Sequence, residues 1–94
     1  MTNIQETLDA RGKIYGEFET QAIISQALKQ AMWMNSPNWF KLPADTREAL
    51  EMIQHKIALI LNGDPEHDDN FRDVAGYSQL VLNRILRSKK GTQP

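Results

Sequence analysis

Two breaks, Asn35-Ser36-Pro37 and Asn62-Gly63-Asp64-Pro65, cut this chain into stretches whose apolar residues recur three and four positions apart. That spacing is the helical period, and nowhere does it give way to the alternation of a strand. Proline removes a backbone donor and pushes the residue before it out of helical dihedrals, so each break stops a helix. The expectation is an all-α fold: a small four-helix bundle-like domain with three longer helices and a short N-terminal one. At 94 residues the chain makes one domain, 1–94. A chain this short buries only about 60–65% of its unfolded surface, so a homodimer or larger homo-oligomer would add core.

The first helix is expected over Thr2 to Ala10, stopping near Arg11-Gly12, with Lys13-Ile14-Tyr15-Gly16 as a turn. The second runs from Phe18 to Met34, its apolar face supplied by Phe18, Ile24, Ala27, Leu28, Ala31 and Met34. Trp39, Phe40 and Leu42 should plug one end of the core. The third helix extends from about Pro43 to Leu61, its apolar stripe centred on Ile53, Ile57 and Ile60 and flanked by Ala49 and Leu50. Asp68 or Asp69 caps the fourth, which carries Phe71, Val74, Tyr77, Val81 and Ile85. Arg84, Arg87, Lys89 and Lys90 sit where cations favour a helix C-terminus, and Gly91 to Pro94 form a frayed tail.

Charge and composition then narrow the function classes. Eleven basic and 12 acidic residues leave a net charge of −1, without the basic excess of a dedicated nucleic-acid binder or a polybasic membrane-surface protein. No cysteine is present, so disulfides and thiolate metal sites are excluded. The polar N-terminus has no signal-peptide h-region. The longest apolar run, Ile57 to Leu61, falls far short of the roughly 20 residues that span a bilayer. A soluble, cytoplasmic protein is expected.

Two carboxylate pairs at helical spacing, Glu48/Glu51 and Asp69/Asp73, are the one arrangement that looks like chemistry. On facing helices they could hold a hard divalent cation, and they could equally be solvated charge. Glu48, Glu51 and His55 share a face nearly opposite the apolar stripe, one that the N-terminal helices or a partner subunit could cover. Asp73 falls with Tyr77, Leu80 and Arg84 on the edge of an apolar face, so it needs a partner. Lys56 is the obvious one, either as a register-fixing ion pair or as part of a site. No second histidine completes a zinc pattern around His55 or His67.

The order Glu48-x-x-Glu51, a linker, then an acidic helix ending at Asp73 resembles the all-α nucleotide pyrophosphohydrolases of the MazG type. Glu48, Glu51 and Asp73 match three of that pattern's four acids, while Asn70, with Asp69 beside it, stands where a glutamate belongs. An asparagine ligates through its carbonyl without charge, so cation affinity should fall. Tyr15-Gly16, Arg47 to Ala58, Gly63-Asp64-Pro65 and Asp69 to Tyr77 together resemble a family of small phage and prophage proteins over most of residues 6–86. The Tyr-Gly, Lys and Asp-x-x-x-Tyr layout is also similar to helical domains associated with nucleotide modification. These resemblances imply a nucleotide ligand in a phage setting, hence the host-cell cytoplasm. They also imply Mg²⁺ held by Glu48, Glu51, Asp73 and Asp69, with a water attacking the α-phosphorus and Glu51 and Lys56 as candidate catalytic residues. Trp33, Trp39 or Tyr77 would stack the base. The alternative is a non-catalytic helical adaptor that binds a host or phage protein.

Overall fold

A computed structural model describes residues 3–91. Its order is α1 (Ile4–Tyr15), α2 (Phe18–Trp33), a 3₁₀ turn (Trp39–Lys41), α3 (Ala44–Asn62) and α4 (Asp68–Gly91), with no strand among the described residues. The fold is all-α, with three longer helices and a shorter N-terminal one. Neither Thr2, the expected start of the first helix, nor residues 92–94 of the expected tail are among the described residues. Gly91 itself closes α4.

Local chemistry sets the boundaries. Asn3 caps α1, its side-chain oxygen accepting from the Glu6 amide at 2.8 Å. The helix does not stop at Gly12. It continues through Lys13-Ile14-Tyr15, the expected turn, because Gly12 still offers its carbonyl to the Gly16 amide at 2.9 Å. The stop is Gly16, at φ +78, a conformation that L side chains rarely adopt. Asn35, at φ +66, reverses the chain after α2. Ser36 Oγ then accepts the Asn38 and Trp39 amides and seeds the 3₁₀ turn.

The three long helices lie side by side, with α3 in the middle making extensive contact with α2 and with α4. Both neighbours run antiparallel to it. Gln21 and Ser25 of α2 meet His55 and Gln54 of α3, at 3.5 and 3.1 Å. On the other side Lys56 pairs with Asp73 at 2.9 Å and Asp45 with Arg84 at 2.8 Å. The same number of residues separates Asp45 from Lys56 as Asp73 from Arg84, so both pairs enforce one register.

The interior is smaller and more polar than the sequence leads one to expect. Its buried apolar members are Trp39, Ala49, Ala58 and Leu59, joined by buried Gln21, Ser25, Gln54 and Asn70. On α2 the expected face is wrong: Phe18 is 78% exposed, and Met34, Ala27 and Ala31 are exposed as well. Trp39 is buried as expected, while Phe40 is exposed. On α3 the stripe centred on Ile53, Ile57 and Ile60 is only half covered, and Phe71 of α4 is exposed. The reason is positional. A helix flanked on two opposite sides buries the residues that point at its neighbours, and its most apolar stripe lies between those directions.

Candidate functional site

Helical rise decides whether the four acids can act together. Asp73 lies level with Lys56, its carboxylate 2.9 Å from the ammonium. The Lys56 side chain is largely buried and Asp73 half-exposed, so the pair occupies the edge position expected of it. Along α3, Glu51 stands about 7 Å and Glu48 about 12 Å of helix rise from that level. Glu48 is exposed and Glu51 half-buried. Asp69 lies one turn before Asp73 on α4, about 6 Å of rise away on the side opposite to Glu51, and it faces His67 at 3.8 Å and Arg72 at 3.4 Å. Mg²⁺ binds its ligands at about 2.0–2.1 Å, so these positions do not form an all-protein cage within one chain. Among the described residues no three His, Asp or Glu side chains converge as a metal site.

Asn70, the residue standing in for the fourth acid, is the most deeply buried side chain of its size, at 1% exposure. Neither its side-chain oxygen nor its nitrogen has a protein partner. A charged glutamate at this depth would carry a heavy desolvation cost, which a neutral amide reduces.

The Glu48 side of α3 is partly covered. His55 has its ordinary pKa lowered, first by burial and then by the positive charges of Lys56, Lys29 and Arg11. Its neutral ring therefore predominates at neutral pH. Arg11 belongs to α1, so the charge of the N-terminal helix reaches this side, while Glu48 itself stays exposed.

Two motifs that looked separate in sequence meet at one end of the layer. The Asn62 side-chain amide donates to the Tyr15 carbonyl at 2.8 Å and to the Glu17 carbonyl at 2.9 Å. The Asp64 amide donates to the Ile14 carbonyl at 2.6 Å. Tyr15 packs edge-on against His67, with ring centroids 5.6 Å apart, and Arg11 lies 4.7 Å over the other aromatic ring of that contact, that of Tyr15. A Cβ on Gly63 would collide with the backbone of Ile14 and Tyr15, and one on Gly16 with the backbone carbonyl of Asn62. The Tyr15-Gly16 turn and the Gly63-Asp64-Pro65 break thus form a clasp between the ends of α1 and α3. No spacing rule links residues so far apart in the chain, so sequence reasoning missed it.

Between α3 and α4 runs an open groove of ≈ 610 Å³, lined by Pro43, Asp45, Glu48, Ala49, Tyr77, Leu80, Val81, Arg84 and Arg87. Its walls are mainly apolar, with Glu48 on one wall and the two arginines on the other. Arg84 is committed: it donates to both Asp45 oxygens, at 2.8 and 3.0 Å, and to Thr46 Oγ at 3.0 Å. That bidentate bond holds the Asp45 carboxyl below its usual pKa and raises that of Arg84. Arg87 is exposed and makes no ion pair among the described residues. Of the acids singled out in the sequence, the groove takes Glu48 and leaves Glu51, Asp69 and Asp73 outside its lining.

A second open groove follows α2, lined by Ala22, Ile23, Gln26, Ala27, Lys29, Gln30 and Trp33. Among the described residues no helix is long and apolar enough to cross a membrane. No family model matches this chain, and no curated protein or solved structure does either.

Proposed function

We propose that this chain is a nucleotide-binding helical domain of MazG-like character, with its ligand seated between α3 and α4. One observation carries the reading: a single groove gathers an aromatic ring, apolar walls, an uncommitted arginine and a carboxylate. Tyr77 offers a face for a base, Leu80 and Val81 extend that apolar surface, and Arg87 is placed for a phosphate. Mg²⁺ enters as the counter-ion of those phosphates, which supply most of its ligands, with Glu48 as the groove carboxylate that no arginine already holds. Hydrolysis with release of pyrophosphate is the stronger form of the proposal; its catalytic candidates from the sequence, Glu51 and Lys56, lie outside the groove lining and would have to reach the ligand from beside it. Lys56 serves in the free chain to hold Asp73. Among the described residues the acids do not converge on one position.

The test is a panel of nucleoside triphosphates with Mg²⁺, read as pyrophosphate release, with Glu51→Gln alongside. Release that Glu51→Gln abolishes supports the enzyme. Binding without release supports a non-catalytic nucleotide domain. Release that survives Glu51→Gln places the activity elsewhere.

A second reading, the non-catalytic adaptor, is favoured by the groove on α2. Ile23 and Trp33 are exposed there beside Ala22 and Ala27, one helical face of the kind that receives an apolar partner helix. Under this reading no nucleotide binds, and Ile23→Glu abolishes capture of the partner.

A further inference from the structure

The middle helix of the layer packs against α2 on one side and α4 on the opposite side. Gln54 and Ala58 face α2, and Asp45, Ala49 and Lys56 face α4. Glu48, Glu51 and His55 point to the side where Arg11 of α1 contributes. At 100° per residue the remaining side of α3 holds Leu50, Ile57 and Leu61, whose exposures are 38%, 38% and 66%. Because α2 and α4 run antiparallel to α3, their helical phase brings Ile24 of α2 and Phe71 and Val74 of α4 to that same side. Phe71 is 60% exposed.

One property of this face and one of the whole chain point to its occupant. First, the face is uncharged where α3 lies: Leu50, Ile57 and Leu61 on α3 stand beside Phe71, Val74 and Ser78 on α4, and the stripe's one charge, Lys89, falls beyond the end of α3. An uncharged apolar face is complementary to itself, as a twofold interface requires. Second, the isolated chain has too much surface. It exposes 7169 Å², where a compact monomer of its mass exposes about 5,500 Å². Its radius of gyration is 16.6 Å, where about 12 Å is normal for this length. The excess, on the order of 1,600 Å², exceeds the roughly 800 Å² that each partner buries in a stable interface.

We infer that a second copy of this chain docks on the Leu50–Ile57–Leu61 face, forming a twofold dimer with α3 at its centre. The groove bearing Tyr77 and Arg87 lies on the opposite side of the layer, so dimerisation leaves it open. This inference stands whichever reading of the groove holds.

Sedimentation equilibrium of the full chain at about 10 μM should give twice the chain mass, a range in which specific dimers persist. Ile57→Glu should halve that mass while the far-ultraviolet circular dichroism stays helical. Ile23→Glu, on the other groove, should leave the dimer intact. Since Ile57→Glu could unfold the chain, Ile57→Cys supplies a second reading in a chain without cysteine. A short bismaleimide should cross-link Ile57→Cys into dimers and leave Ile23→Cys uncoupled. A monomeric wild type, a dimer that persists in a folded Ile57→Glu, or cross-linking only at Ile23→Cys would overturn the inference.

Discussion

Asn62 joins two ends of the molecule with one amide group, donating to the carbonyls of Tyr15 and Glu17. Asn62→Ala removes both bonds and leaves the half-buried Tyr15 carbonyl without its partner. A loss of about 1–2 kcal/mol is expected in urea unfolding, the range for a neutral bond plus partial desolvation. Gly63→Ala should cost more, because the added Cβ meets backbone that cannot rotate away. His55 sets a pH dependence. Its pKa is lowered from 6.5 by burial and by the charges of Lys56, Lys29 and Arg11, so the unfolded chain takes up its proton first on acidification. Stability is therefore full above about pH 6.5 and falls as the pH drops below it, towards the lower folded pKa. His55→Gln should flatten that slope in denaturation curves between pH 7 and 5. A curve as steep as that of the wild type would assign the slope to other groups.

At the scale of elements, α3 and α4 are held in register by Lys56–Asp73 and Asp45–Arg84. The first pair was legible in the sequence, because Asp73 and Lys56 fall on matching edges of two amphipathic helices. Asp73→Asn should destabilise by about 0.5–1 kcal/mol, discounted for the half-exposed carboxylate, and a double-mutant cycle with Lys56→Met should give a coupling of that size. A coupling of zero would remove the pair from the forces setting register. Helix boundaries were also legible where proline punctuates them, as at Ser36-Pro37, whereas Asp68 and Asp69, expected as caps of α4, are instead inside its first turn. Gly12 misled because glycine is tolerated inside a helix, and only the left-handed Gly16 ends α1. The faces were the least legible. Hydrophobic periodicity locates an apolar stripe but not the neighbours that bury it, and on α3 those neighbours lie to either side of Ile57. The site candidates divided in the same way. Glu48 and Tyr77 come together because α4 packs along α3, while Asp69 is drawn to His67 and Arg72.

The whole molecule is an open helical layer, 59 Å in its longest dimension. One side carries the Glu48 face and the α3–α4 groove, and the other is largely apolar. Under the proposed function and the inferred dimer, the ligand takes one side and a second copy the other. Substitutions should separate accordingly, Arg87→Ala weakening ligand binding without changing mass and Ile57→Glu halving mass without closing the groove. Isothermal titration of the full chain with nucleoside triphosphates and Mg²⁺ measures the proposed ligand itself. Saturable binding is expected, weakened about tenfold by Arg87→Ala, or about 1.4 kcal/mol for one lost charge-assisted phosphate bond. No binding by any nucleotide up to millimolar concentration, or an affinity that Arg87→Ala leaves unchanged, would contradict it.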